Sequence, residues 1–160
     1  MSEMTIDQPV TDFERTTDTG ESWRLADQRG RWIVLYFFPK ASTPGCTVES
    51  EAFRDLDPRF NALNAQVVGI SRDGPKALAN FRAKYDFPFP LLSDRDETVC
   101  SQFDVIRDKV MFGKPARGIE RSTFLIDPEG VLREAWRKVS VDGHAEAVLQ
   151  TLSQRQGGQR

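Results

Sequence analysis

The segment that most restricts this chain is Trp32-Ile33-Val34-Leu35-Tyr36-Phe37-Phe38. It is apolar and aromatic throughout, shows no polar alternation, and is bounded by Gly30 and Pro39. Such a run predicts a strand buried on both faces, which a sheet provides only where helices pack above and below it. The run is far shorter than the roughly 20 residues that cross a bilayer, so no membrane span is expected. The polar start Met1-Ser2-Glu3-Met4-Thr5-Ile6-Asp7 has no leader pattern either. Charge is nearly balanced, 22 Lys+Arg against 24 Asp+Glu, which argues against a nucleic-acid binder with its net basic face. At 160 residues the chain suffices for one buried core.

Polar residues 1–12 and 154–160 read as loosely ordered tails around a single domain at 13–153. Phe13–Thr17 and Ser22–Leu25, joined across Asp18-Thr19-Gly20-Glu21, predict a hairpin. After the central strand, Val48, Ala52, Phe53, Leu56, Phe60 and Leu63 recur at helical spacing, with Pro58 expected to kink or break that helix. Val67–Ile70 predicts a second buried strand. Pro75 opens a helix carrying Leu78, Phe81 and Tyr85 inward. Phe89–Leu92 is a short extended piece, and Asp94 or Asp96 caps a helix with Val99, Cys100 and Phe103 on one side. A basic loop is expected from Arg107 to Gly118, holding Lys109, Lys114 and Arg117 and read as solvated surface rather than a docking face. Thr123–Ile126, the turn Asp127-Pro128-Glu129-Gly130 and Val131–Trp136 predict a hairpin, followed by a helix that starts at Asp142-Gly143. Trp23, Trp32 and Trp136 read as core or edge packing. The order points to an α/β, thioredoxin-like fold: an N-terminal β-hairpin and a central mixed sheet flanked by helices.

The chemistry concentrates in Pro39-Lys40-Ala41-Ser42-Thr43-Pro44-Gly45-Cys46-Thr47-Val48-Glu49. This stretch follows the central strand, at the carboxyl end where α/β folds carry their sites. Thr43 and Pro44 suit the N-cap and first position of a helix, which sets Cys46 in its first turn. Free backbone N–H groups and the helix dipole favour a thiolate there, the nucleophilic form of cysteine. A dithiol redox centre would want a second cysteine at position 49, which is Glu. A cysteine phosphatase would want Arg at 52, which is Ala, and a cysteine hydrolase has only His144, read as a solvated or capping residue. Cys46 therefore acts without a partner base. Cys100, the other cysteine, reads as a buried core thiol.

Pro39-x-x-x-Thr43-x-x-Cys46 resembles the active-site signature of the peroxiredoxins, and Thr43-Pro44-Gly45-Cys46-Thr47 with Glu49 looks like the PrxQ, or bacterioferritin comigratory protein, branch. Leu91-Leu92-Ser93-Asp94, Met111-Phe112-Gly113-Lys114 and the stretch Gly118–Asp127 read like that branch as well. The resemblance implies a thiol-dependent peroxidase acting on hydrogen peroxide and organic hydroperoxides, with no metal or organic cofactor. Cys46 would attack the peroxide and become a sulfenic acid. Thr43 would hydrogen-bond the sulfur and the peroxide, Pro39 would shield the thiolate, Arg121 would supply positive charge, and Glu49 would hold that guanidinium.

The sequence departs from the branch at its resolving cysteine, because the two places where relatives carry one hold Glu51 and Arg82. A one-cysteine cycle is the expectation, with thioredoxin, glutaredoxin or a low-molecular-weight thiol as reductant and with Cys100 resolving as the alternative. A non-catalytic redox sensor built on the same fold is the rival. The chain is expected to be monomeric and cytoplasmic, its thiols reduced at rest.

Overall fold

Two short strands, β1 (Glu14–Thr17) and β2 (Ser22–Arg24), form the expected hairpin and lead through a 3-10 turn at Leu25–Gln28 into β3 (Trp32–Phe37). All six β3 residues are buried, as their apolar run requires. The computed structural model describes residues 5–157. After β3 come α1 (Pro44–Ala62), β4 (Ala65–Ser71), α2 (Pro75–Tyr85), β5 (Leu91–Ser93) and α3 (Thr98–Gln102). The chain then continues through β6 (Ile106–Met111), β7 (Lys114–Ile119), β8 (Ser122–Ile126), β9 (Leu132–Trp136) and α4 (His144–Gly157). The main sheet runs β2-β1-β5-β4-β3-β8-β9, with β3, β4 and β5 parallel to one another and β8 antiparallel to β3. This is the thioredoxin-like mixed sheet.

Alternation along β3 divides the core between two faces. Trp32, Val34, Tyr36 and Phe38 pack with Phe53 and Phe60 of α1, Leu78 and Phe81 of α2, and Val148 and Leu152 of α4. Ile33, Leu35 and Phe37 face the other way, against Val99, Cys100, Phe103 and Phe124. Cys46 belongs to the first face and Cys100 to the second.

Four expectations change. Pro58 does not break α1, which runs without interruption from Pro44 to Ala62. The buried Phe53, Asp57 and Phe60 clamp both flanks of the proline to the sheet, and packing overrides the lost backbone bond. Of the apolar stripe read for α1, Phe53 and Phe60 are buried and Ala52, Leu56 and Leu63 pack against the same core, but Val48 is 56% exposed, and the buried face also takes in Cys46, Glu49, Ser50 and Asp57. Residues 107–118 are not a loop but the β6–β7 ribbon, paired from Ile106↔Ile119 to Met111↔Lys114. Its tip, Phe112-Gly113, has two positive φ angles (53° and 77°), the signature of a two-residue hairpin turn.

The packed body also extends past 13–153 at both ends. Asp7 donates its N–H to Leu132 O (2.7 Å), Pro9 bridges Val131, and Val10 is buried, so the β8–β9 turn anchors residues of the expected N-terminal tail. At the other end α4 reaches Gly157, with Arg155 pairing Glu134 at 2.8 Å. Residues 1–4 and 158–160 of the expected tails lie outside the described residues.

Gly69 of β4 sits where the parallel strands are most tightly covered. A Cβ there would lie 2.7 Å from Leu91 Cδ2 and 2.9 Å from Tyr36 Cζ. Gly69→Ala is expected to destabilise the fold by about 1–3 kcal/mol through overpacking, read as a lower urea midpoint. An unchanged midpoint would mean that the β3–β5 layer has slack that these contacts do not show.

Candidate active site

β3 and β8 are antiparallel, and Phe37 at the end of β3 faces Ser122 at the start of β8. The chain leaves β3, loops through residues 38–43 and enters α1, so the first turn of α1 stands beside the residue that precedes β8. That residue is Arg121. Its Nη2 donates to Cys46 Sγ at 3.6 Å and its Nη1 donates to Glu49 Oε1 at 2.7 Å. Glu49 lies one turn after Cys46 on the same helix face, which is why one guanidinium reaches both. Cys46 and Glu49 are each only 1% exposed.

Gly45 leaves room for this approach. A Cβ at that position would stand 3.1 Å from Arg121 Nη2. The glycine was part of the sequence motif, but its role as a gap for the guanidinium becomes visible only in three dimensions.

Burial dominates the electrostatics. It raises the Glu49 carboxyl from 4.5 to about 7, against the opposing pull of Arg121. Oε2 of Glu49 is buried and has no hydrogen-bond partner. Burial alone would lower the Arg121 guanidinium, but Glu49 and Cys46 outweigh it and hold the cation more firmly charged. Beside this cluster, Tyr36 Oη and Ser50 Oγ share a buried hydrogen bond of 2.9 Å.

Thr43 caps α1 by position, yet its hydroxyl makes no capping bond. It donates instead to Lys40 O at 2.6 Å, which leaves the oxygen's lone pairs as its remaining capacity. Pro39 borders a shallow cleft of about 270 Å³ together with Ile119, Arg121 and Val139, so the residue whose guanidinium reaches Cys46 also lines this cleft. A larger cavity, about 580 Å³ between α1 and α4 and lined by Arg59, Leu63 and Leu149, lies at the opposite end of α1 and holds no nucleophile.

Cys100 is elsewhere. It is fully buried on the other face of the sheet, and its backbone N–H donates to Asp94 Oδ2 at 2.7 Å. Burial and the adjacent Asp94 carboxylate push its thiol far above the ordinary range. The N-cap position of α3 falls on Glu97 rather than on Asp94 or Asp96, but those two carboxylates still take up its first N–H groups, Asp94 accepting from Val99 N and Cys100 N and Asp96 from Thr98 N. Glu51 and Arg82 have structural partners: Glu51 pairs with Arg54 at 3.8 Å, and Arg82 binds Phe87 O and Asp18.

His144 corrects the sequence reading. It is buried, 6% exposed, and its Nε2 shares a 2.8 Å hydrogen bond with Thr123 Oγ1. Phe53 and Trp136 meet its ring edge-on. The helix start that would have exposed it is instead pressed against the sheet by Ala145 and Val148.

Residues 6–135 match the AhpC/TSA family. Peroxiredoxin Bcp of Xanthomonas campestris is 48% identical over 154 residues, covering 95% of this chain and 96% of that protein. The chain belongs to the AhpC/TSA family, in its Bcp/PrxQ peroxiredoxin branch. Peroxiredoxin Bcp of Bacillus subtilis is 47% identical over 92% of this chain and 94% of its own length. Among solved structures, this peroxiredoxin is similar to Xanthomonas campestris bacterioferritin comigratory protein, studied for alkyl peroxide reduction through a trapped intermediate and ligand complex. Their TM-score is 0.86 at 49% identity, covering 89% of this chain and 91% of that one. A cysteine-to-serine mutant of Xylella fastidiosa PrxQ superposes with a TM-score of 0.91 at 43% identity, over 97% of this chain and 99% of its own. Peroxiredoxins are thiol-dependent peroxidases, so peroxide and a thiol reductant are the substrates of this enzyme. No helix among the described residues is long and apolar enough to cross a membrane.

Glu49 and His144 pull stability in opposite directions with pH. Burial lowers His144 from 6.5 to about 4, so the stability its neutral ring contributes is present above pH 6.5 and is lost as pH falls toward 4. Glu49 is raised from 4.5 to about 7, so its contribution is present below pH 4.5 and is lost as pH rises through 7. Glu49→Gln removes only the second term. Relative to wild type, the variant is expected to lose stability as pH falls from 7 to 4.5, by up to about 1.4 kcal/mol per pH unit. Urea midpoints of both proteins at the two pH values measure it. Parallel pH profiles would contradict the buried-acid assignment.

Proposed function

We propose that Cys46 is the peroxidatic cysteine of a one-cysteine peroxidase that reduces hydrogen peroxide and organic hydroperoxides. The observation that carries this reading is the Arg121 guanidinium, which donates to the Cys46 sulfur while Glu49 holds its other arm. A cation fixed beside the sulfur favours thiolate and meets the negative charge that develops as the O–O bond breaks. The thiolate attacks one peroxide oxygen and an S–O bond forms. The O–O bond breaks, and the departing oxygen takes a proton and leaves as water or alcohol. Thr43, its own proton committed to Lys40 O, offers a lone pair to the peroxide O–H. In this respect it differs from the donor to the sulfur that the motif alone suggests. Pro39, at the rim of the cleft, limits water around the sulfur.

The sulfenic acid is then resolved by an external thiol. An attacking thiolate displaces water and forms a mixed disulfide, and a second thiol releases Cys46. Thioredoxin, glutaredoxin or a low-molecular-weight thiol suits this step, in a reducing compartment such as the cytoplasm, with the enzyme acting as a monomer. Support for resolution from outside comes from Cys100. Its thiol is buried across the sheet from Cys46 beside Asp94, and a disulfide needs the two Cα atoms within about 7 Å.

Steady-state peroxide reduction with dithiothreitol tests the assignment. Cys46→Ser is expected to abolish turnover, Arg121→Met to lower kcat/KM for peroxide by about 100-fold or more, and Cys100→Ser to stay close to wild type. Loss of turnover in Cys100→Ser with its fold intact would replace this reading by a two-cysteine cycle. Absence of turnover in the wild type would leave the sensor reading.

A further inference from the structure

The loop between β3 and α1 carries Pro39 and Thr43, yet little within the loop fixes its shape. Its internal tie is Thr43 Oγ1 to Lys40 O at 2.6 Å, and Pro39 has no N–H to give. Ser42, between Ala41 and Thr43, adopts a left-handed backbone (φ 67°), which a non-glycine residue keeps only when its surroundings impose it. The restraint comes from another strand end. Asp73, two residues beyond β4, accepts the Ala41 N–H on Oδ2 at 2.8 Å.

Asp73 is itself braced on several sides. Its Oδ2 also accepts Ser71 Oγ at 2.7 Å, its N–H donates to the same Ser71 Oγ at 3.1 Å, and its carbonyl accepts Ser93 Oγ at 2.7 Å. Ser71 and Ser93 are buried, and they close β4 and β5 respectively. The ends of two parallel strands thus converge on one side-chain oxygen that grips the midpoint of the Cys46 loop. Neither composition nor the Pro39–Cys46 motif contains this residue.

We infer that Asp73 is a positioning residue for peroxide reduction, setting where Pro39 and Thr43 stand over Cys46 through its bond to Ala41 N. The inference rests on the reading of Cys46 as the peroxide-reactive thiol. Asp73 touches neither sulfur nor substrate in this role. Its effect on rate passes through the loop, where a displacement of about 1 Å costs as much as 100-fold.

The test compares two second-order rates for Cys46 in the wild type, Asp73→Ala and Asp73→Asn: oxidation by hydrogen peroxide and alkylation by iodoacetamide. Alkylation needs an accessible thiolate but not the placement of Pro39 and Thr43 around a peroxide. Asp73→Ala is expected to lose about 10- to 100-fold in the peroxide rate with its iodoacetamide rate nearly unchanged. Asp73→Asn, whose side-chain carbonyl still accepts from Ala41 N, is expected to recover most of the loss. If Asp73→Ala does not fold, Ser71→Ala serves in its place, with a smaller loss confined to the peroxide rate. A wild-type peroxide rate in the folded variant overturns the inference, and so does a proportional loss in both rates. Failure of the wild type to react with peroxide would instead remove the reading of Cys46 on which it rests.

Discussion

One guanidinium organises the candidate active site. Arg121 forks between the Cys46 sulfur and the Glu49 carboxylate, and most of what surrounds it makes that fork possible. The antiparallel pairing of β8 with β3 brings Arg121 to the end of the strand from which α1 departs. Helical spacing turns Cys46 and Glu49 to the same side. Gly45 leaves the gap through which the guanidinium lies over the first turn. Together they hold the cation beside the thiol in the first turn of α1.

The arrangement has a cost. Glu49 buries a carboxyl with one oxygen unpaired, and burying an ionised group whose partners are incomplete opposes folding. Stability is recovered elsewhere, in two aromatic-rich faces packed on β3. Tyr36 stacks on Phe53 at 4.7 Å and meets Phe89 edge-on, while Phe103 packs on Phe124 at 4.8 Å across the sheet. The sheet between these faces also separates the two cysteines. Cys46 lies beside the Arg121 cation, whereas Cys100 is enclosed beside the Asp94 carboxylate, where burial and that charge push its thiol up.

Much of this was legible because local signals agreed. The apolar run at β3, the Thr43-Pro44 helix start and the proline that opens α2 each combine backbone chemistry with hydrophobic patterning. The failures have physical causes. The apolar pattern shows only part of the α1 face, because that face also buries Glu49, Ser50 and Asp57, polar residues that pattern reading assigns to solvent. The β6–β7 ribbon was missed because Phe112 occupies a left-handed turn position more often filled by Asn or Gly, so no hairpin signal stood in the sequence. His144 carries no local sign of its burial, because its partner, Thr123, comes from a distant strand. Asp73 was invisible for the same reason: its bond to Ala41 spans a strand crossover that no short motif encodes.

The central claim is that Cys46 alone carries the oxidised intermediate. Intact mass after one equivalent of hydrogen peroxide tests it most directly, on wild type and Cys100→Ser, with and without a sulfenic-acid trap. The account predicts that both proteins gain one oxygen and that the trap captures it at Cys46 in both. Loss of two hydrogens in the wild type alone, with the mobility of a monomer, would contradict it, because the two cysteines would then have met across the sheet that separates them here.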